Sequence, residues 1–453
     1  MTCNLHAPSR RELLLASGTL FAWSYLPKAA RAEGRDPRLL VIVLRGALDG
    51  LAAVAPVGDP DWVGLRGDKA LTLDGKPPAL ALDSFFALNP AMPNLHRLYK
   101  SGAATIVHAA ATPYRERSHF DGQDVLESGF VKPGATDSGW LNRALGALQP
   151  GGRAGGSRDA FAVGPIAPLV VRGPAPVLSW TPRRLPPASD DTVMRLIDLY
   201  RHTDPALARV LEERMGLATI ARAALASEAS GQRGNSIVRA HSASDDARKR
   251  AYDTRPEPSS SARAGGMDGE QPRAPGAGQV RAYFAESAGT AARFLARPDG
   301  PRIGALAFDG WDTHAAEGAS NGRLAVLLGA LDGAIAAIER EMKEAWRETA
   351  VAVITEFGRT ARINGTDGTD HGTATVALLA GGALKGGRVI ADWPGLKPSR
   401  LYEGRDLKPT TDLRAVLKGL LRDHLRVDGT ALAAKVFPDS GAVKPMPGLL
   451  LQA

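Results

Sequence analysis

Five short apolar runs rich in Val, Ile and Leu, separated by stretches of helical periodicity, constrain this chain more than any other feature. They span 39–44, 104–107, 303–308, 351–355 and 375–379, and such runs read as buried strands. The clearest helical pattern covers 323–346, with Leu324, Leu327, Leu328, Leu331 and Ile335 on one stripe. Another covers 191–225, and a third covers 412–425 with Leu413, Val416, Leu417, Leu420 and Leu421. Alternating strands and helices predict an α/β fold: a mostly parallel sheet with helices on both faces.

Residues 227–276 break the pattern. They are rich in Ser, Gly, Arg, Asp and Pro, and Ile237, Val238, Tyr252 and Met267 are nearly their only large apolar residues. Such a segment buries too little surface to offset its ordering entropy. It is expected to be a disordered insertion without catalytic residues.

At the N-terminus, Ser9-Arg10-Arg11-Glu12 precedes an apolar run over 13–26, and Ala30-Arg31-Ala32 follows with small residues at the positions a signal peptidase reads. The pattern predicts a twin-arginine export signal over 1–32, with the twin-arginine translocase as its partner. The product is then periplasmic or secreted. The run is shorter than the about 20 residues of a spanning helix, and no later segment reads as one. Cleavage would remove Cys3, the one cysteine. That leaves no disulfide, thiolate ligand, cysteine nucleophile or cysteine-derived formylglycine in residues 33–453, which read as a single α/β domain. Loss of Arg10, Arg11, Lys28 and Arg31 against Glu12 lowers the formal net charge from +8 to +5. The remaining basic residues are scattered and no run interleaves them with aromatics, which argues against nucleic acid. Attraction of an anionic small-molecule or envelope substrate stays open.

Polar clusters follow the expected strands. They are Arg45-Gly46-Ala47-Leu48-Asp49-Gly50, Asp309-Gly310-Trp311-Asp312-Thr313-His314 and Glu356-Phe357-Gly358-Arg359-Thr360; Gly368-Thr369-Asp370-His371-Gly372-Thr373 precedes the last strand. Open α/β sheets bind ligands at the carboxyl ends of their strands, where at least three of these clusters would meet. With cysteine absent, Asp and His are the expected ligands for Zn²⁺, Mn²⁺ or Ca²⁺. Asp49, Asp312, His314, Asp370 and His371 could hold two such ions. Taken singly, each has a plainer reading: Asp49-Gly50 and Asp370-His371-Gly372 as turns, Asp312 and His314 as a helix cap.

Ser118, in Arg117-Ser118-His119-Phe120-Asp121, is a candidate nucleophile at a helix start, or simply an N-cap. His119 is a candidate ligand or general acid–base. Arg359, with Arg45, Arg115 and Arg117, is a candidate to grip an anionic oxygen. The chain has no Gly-x-x-x-x-Gly-Lys phosphate loop and no Gly-x-Ser-x-Gly elbow, and Gly381-Gly382-Ala383-Leu384-Lys385-Gly386-Gly387 lacks dinucleotide-fingerprint spacing.

These clusters, together with Ser118-His119-Phe120-Asp121, resemble the signatures of the bacterial family called domain of unknown function 1501. The resemblance covers nearly everything after residue 32 except the insertion. That family is grouped with the alkaline phosphatase superfamily, so the resemblance implies an alkaline-phosphatase-like three-layer sandwich. It further implies that Asp49, Asp370 and His371 serve one metal, that Asp312 and His314 serve a second, and that Ser118 is the nucleophile. Two departures stand out. The second-metal Asp and His are two residues apart instead of four, and the late histidine is missing, since His424 lies inside the 412–425 helical pattern. Either His119 or Glu356 replaces it, or the second site is incomplete. The expectation is an exported metal-dependent hydrolase of phosphate or sulfate esters; the alternative is a non-catalytic envelope protein that keeps the fold.

Overall fold

The computed structural model describes residues 35–148, 157–163, 167–180, 276–298 and 300–451. The chain divides into two units, Met1–Asp36 and Pro37–Ala453, and every strand and helix named here lies in the second. The export segment, the helix over 191–225 and all but the last residue of the insertion fall outside the described residues.

The first apolar run forms β1 (Arg38–Arg45). Its alternate residues serve two cores: Leu40, Ile42 and Leu44 on one side, Leu39, Val41 and Val43 on the other. Full burial of each such side chain contributes about 1.5–3 kcal/mol, so a strand like this belongs in the middle of a covered sheet. The main sheet runs β11 (Arg388–Ile390), β5 (Ala104–Ala111), β10 (Thr375–Ala380), β9 (Thr349–Thr355), β1, β8 (Pro301–Asp309), β6 (Ser157–Val163) and β7 (Val177–Trp180), with β12 (Thr411–Asp412) also on β5. A small antiparallel sheet holds β2 (Val54–Ala55), β3 (Leu80–Ala81) and β4 (Ala87–Leu88).

The described α-helices of four residues or more are α1 (Gly50–Ala53), α2 (Trp62–Arg66), α3 (Pro93–Lys100), α4 (His119–Ser128), α5 (Trp140–Ala147), α6 (Ala277–Ala296), α7 (Arg323–Met342) and α8 (Leu413–Asp423). Helices α3, α6 and α7 close one face of the main sheet through Leu95, Phe284, Leu295, Leu328 and Ile335. Helices α5 and α8 close the other through Trp140, Leu141, Val416 and Leu420. The α/β class, the mostly parallel sheet and the helices on both faces are those the sequence predicts. No described helix is long and apolar enough to cross a membrane.

Three details refine the expectation. Helix α7 stops at Met342, because Lys343 turns left-handed (φ 50°) into a 3-10 segment, Lys343–Glu348. Strand β5 runs on to Ala111 through a buried His108, whose Nε2–H donates to the Val54 carbonyl (2.9 Å) while Nδ1 accepts from Ala109 N (2.8 Å). His424 takes a helix-end role: it caps the C-terminus of α8, is buried, and its Nε2 lies 3.0 Å from the Arg38 carbonyl.

One topological fact positions the site. Within the described sheet β10 alone runs against its neighbours. Its entrance therefore lies at the edge where β1, β8 and β9 exit, and the loop before it joins the loops after them.

Candidate metal centre

These loops pack backbone against backbone, and glycine is what allows it. A Cβ on Gly46 (φ +118°) would lie 2.4 Å from the Asp312 nitrogen, and one on Gly368 would lie 2.3 Å from the His314 carbonyl carbon. Among the non-glycine residues with positive φ in these loops are Ala47 (φ 66°) and Arg117 (φ 63°). Each points a carbonyl at a site residue: Ala47 O accepts from Arg359 Nε at 2.8 Å, and Arg117 O lies 2.8 Å from Nδ1 of His371. Strain of this kind persists where the surroundings over-determine it. At Arg117 the side chain is pinned by Asp406 (2.9 Å) and Glu403 (2.5 Å).

His119, Asp312 and His371 are the group of described residues whose ligand atoms all lie within 4.8 Å of one another. His119 opens α4 and stacks on Phe357, ring centroids 5.0 Å apart. Its Nε2 lies 3.5 Å from Asp312 Oδ1, and Nε2 of His371 lies 3.4 Å from the same oxygen. His314 adjoins the group, with Nε2 3.0 Å from Asp312 Oδ1 and 2.9 Å from Nε2 of His371.

Behind His119 stands Glu356, fully buried at the end of β9. Its Oε1 receives the Gly46 N–H (2.8 Å), the Gln123 amide (3.2 Å) and Nδ1–H of His119 (2.9 Å), and its Oε2 receives the Thr355 hydroxyl (2.8 Å). Burial works against its charge, but these donors outweigh burial and hold the carboxyl below its ordinary range. Burial likewise pulls the His119 imidazole down, and the Glu356 carboxylate outweighs it, so His119 titrates above the usual histidine value. His371 moves the opposite way, through burial and then the neighbouring His119.

Arg359 is buried and uses its guanidinium to tie loops together. It donates to the carbonyls of Ala47, Gly46 (2.7 Å), Thr369 (3.1 Å) and Trp311 (3.1 Å), and to Asp312 Oδ1 at 2.5 Å. Burial pushes the Asp312 carboxyl up, but Arg359 more than compensates and keeps it ionised. The other anion-binding candidates are also engaged with protein groups: Arg45 with Glu127, Arg115 with the carbonyls of Thr112 and Tyr114, Arg117 as above.

The remaining predicted residues are placed as follows. Asp370 is more than half exposed; its Oδ1 accepts from Asn364 Nδ2 (3.1 Å) and lies 3.4 Å from Nδ1 of His314. Ser118 is the N-cap of α4, yet its side chain makes no capping bond. Asp49 stands apart from the donor group. Buried, it caps α1 through Leu51 N and Ala52 N, and both its oxygens accept from Arg66, at 2.5 and 3.0 Å. Sequence reasoning did not single out Arg66, which ends the five-residue helix α2, too short to show a periodic or motif signal. It also missed Glu317, buried beside the Asp49–Arg66 pair, whose carboxyl is pushed up to about 8 by burial and then by Asp49.

The donor chemistry fits a divalent cation. Imidazole nitrogens and a carboxylate oxygen are ligands for zinc-like ions. Nε2 of His119 is buried with no hydrogen-bond partner, an arrangement that an ion would complete.

A family model described as "Protein of unknown function (DUF1501)" matches residues 36–436. No curated protein matches the chain. Among solved structures, the chain is similar to "Ps i-CgsB in complex with k-i-k-neocarrahexaose" at 11% identity and TM-score 0.38, over 87% of this chain and 73% of that one. It is also similar to the "Phosphonate Monoester Hydrolase of Agrobacterium radiobacter" at 13% identity and TM-score 0.27, over 78% and 70%.

Proposed function

Since the chain belongs to the DUF1501 family, which carries no assigned activity, we propose from the chemistry of its site that it is an exported, metal-dependent hydrolase of phosphate or sulfate esters. The observation that carries this reading is the buried Nε2 of His119, which makes no hydrogen bond, lies 3.5 Å from Asp312 Oδ1 and is grouped with His371. When bound, a divalent ion at such a site polarises an ester oxygen and lowers the pKa of an attacking hydroxyl or water.

The residues divide the remaining work. His119, Asp312 and His371 would hold the ion. Glu356 and Arg359 keep His119 and Asp312 in place from behind. Ser118, whose side chain has no capping duty, is the candidate to attack phosphorus or sulfur: its oxygen bonds to that atom as the ester oxygen leaves with the hydroxyl proton, and water then cleaves the serine ester to release phosphate or sulfate and restore the hydroxyl. The free N–H groups of the first turn of α4 suit the anionic group being transferred.

Hydrolysis of p-nitrophenyl phosphate and p-nitrophenyl sulfate, with Zn²⁺ or Mn²⁺ supplied, tests the reading. Asp312→Ala and His371→Ala should each abolish turnover in folded protein, and Ser118→Ala should separate serine attack from direct attack by water. Turnover unaffected by the first two would refute it. Export is tested by fusing residues 1–32 to a reporter that is active only after folded export: Arg10→Lys with Arg11→Lys should trap it in the cytoplasm.

A second reading, a non-catalytic envelope protein, is favoured by one observation. Both oxygens of Asp49 are taken by Arg66, which leaves a smaller ligand set than two-ion chemistry requires. Stable metal binding without turnover of any ester would support it.

A further inference from the structure

Three histidines meet at one carboxylate oxygen, and in each the ring nitrogen facing away from the meeting point has an acceptor beside it. Nδ1 of His119 has Glu356 Oε1 at 2.9 Å, Nδ1 of His371 has the Arg117 carbonyl at 2.8 Å, and Nδ1 of His314 has Asp370 Oδ1 at 3.4 Å. A carbonyl or carboxylate cannot donate, so the first two contacts require the proton on Nδ1, and the third favours it. In a neutral imidazole the opposite nitrogen then carries a bare lone pair. Nε2 of His371 and Nε2 of His314 are only 2.9 Å apart, a separation that is satisfied either by one proton shared between them or, with both protons on Nδ1, by a cation that takes both lone pairs.

We propose that Glu356, the Arg117 carbonyl and Asp370 act as positioning groups that turn His119, His371 and His314 into three Nε2 donors around Asp312, giving a one-ion, nitrogen-rich centre that takes Zn²⁺ and rejects Ca²⁺. The inference rests on the reading of this group as a metal site, not on ester hydrolysis.

Two features support it. Ca²⁺ takes six to eight oxygen ligands, and this cluster offers imidazoles and one carboxylate. Asp49, the other aspartate the motifs offer as a ligand, is held by a buried guanidinium on both oxygens. Asp370, which the motif reads as a ligand, lies instead behind His314. Acceptors placed this way fix ligand orientation, and their loss typically weakens metal binding about 10–100-fold.

The test uses the full chain, stripped with a chelator and titrated with Zn²⁺ alone and Ca²⁺ alone, followed by long-range ¹H–¹⁵N spectra of the histidine rings. We expect one Zn²⁺ per chain, Nε2 signals of three histidines shifting together, and no displacement by a large excess of Ca²⁺. Glu356→Gln should weaken Zn²⁺ binding at least about tenfold. Because Glu356 is buried, Asp370→Ala on the exposed rim provides an independent variant with the same expected direction. Two Zn²⁺ per chain, displacement by Ca²⁺, Nδ1 coordination, or unchanged affinity in folded Asp370→Ala would each overturn the proposal. So would a shared proton with no Zn²⁺ uptake. Tight Zn²⁺ binding without ester turnover would leave it standing while refuting the hydrolase; turnover with unchanged Zn²⁺ affinity in both variants would do the reverse.

Discussion

Arg359 Nη2 and Asp312 Oδ1 meet at 2.5 Å across the gap between the loops that follow β9 and β8. The same guanidinium holds carbonyls of the loop after β1 and the loop before β10. One buried side chain therefore sets where the acid of the donor group stands and how four loops lie against each other.

Arg359→Lys keeps the charge but cannot reproduce a planar fork of five donors. Several buried carbonyls would lose their partner, at about 1–3 kcal/mol for each one left unsatisfied. We expect a clear fall in melting temperature and weaker metal binding, read by calorimetry and Zn²⁺ titration. An unchanged melting temperature would refute the tying role.

The Asp49–Arg66 pair makes a sharper prediction. Asp49→Asn removes the carboxylate bonded to a buried guanidinium and should cost up to about 3–5 kcal/mol, less what the neighbouring Glu317 recovers by ionising once Asp49 no longer opposes it. The double variant Asp49→Leu with Arg66→Met should regain much of that loss in urea denaturation, with metal content unchanged. Loss of metal from the folded double variant would instead make Asp49 a ligand.

His108 predicts an acid-sensitive fold. Burial lowers its pKa from 6.5 to about 4, so between those values the unfolded chain holds a proton that the folded chain does not. Stability is then fully present above pH 6.5 and is lost as pH falls toward 4, by about 3 kcal/mol from this group. His108→Gln can keep both backbone hydrogen bonds without titrating. Its stability, measured by urea denaturation at pH 7 and pH 4.5, should fall less than that of the native chain.

Two glycines should respond in opposite ways to alanine. At Gly46 the positive φ and the 2.4 Å approach to Asp312 N leave no room; destabilisation of more than about 1 kcal/mol is expected, with weaker metal binding. At Gly333, inside α7, an added Cβ meets nothing within 4 Å, and alanine should stabilise by up to about 1 kcal/mol. Thermal melts of the two variants decide it.

The strands were legible because burial on both faces writes itself as an unbroken apolar run, as in β1. Direction was not. A run such as β10 has the same composition whichever way it points, so the meeting of its leading loop with the other three had to come from the sheet. Strand β6 carries Ser157, Arg158 and Asp159 ahead of its apolar residues, and the edge strand β11 is only Arg388-Val389-Ile390, so neither gave such a run. Within the site, Asp312, His314 and His371 stood out as motif residues. The employment of Arg359 and Asp49 did not, because Trp311, Thr369 and Arg66 are brought to them by folding and not by spacing.

The donors come from distant parts of the chain: His119 from the start of α4, Asp312 from the end of β8, His371 from the approach to β10. A chain emerging from its N-terminus offers one of them early and the last only when most of its length exists. Between those moments β8 and β9 must find places beside β1, and β10 must insert backwards next to β9. An ion held by all three donors could therefore be gripped only after β8, β9 and β10 have found their places, and its capture would register completed assembly.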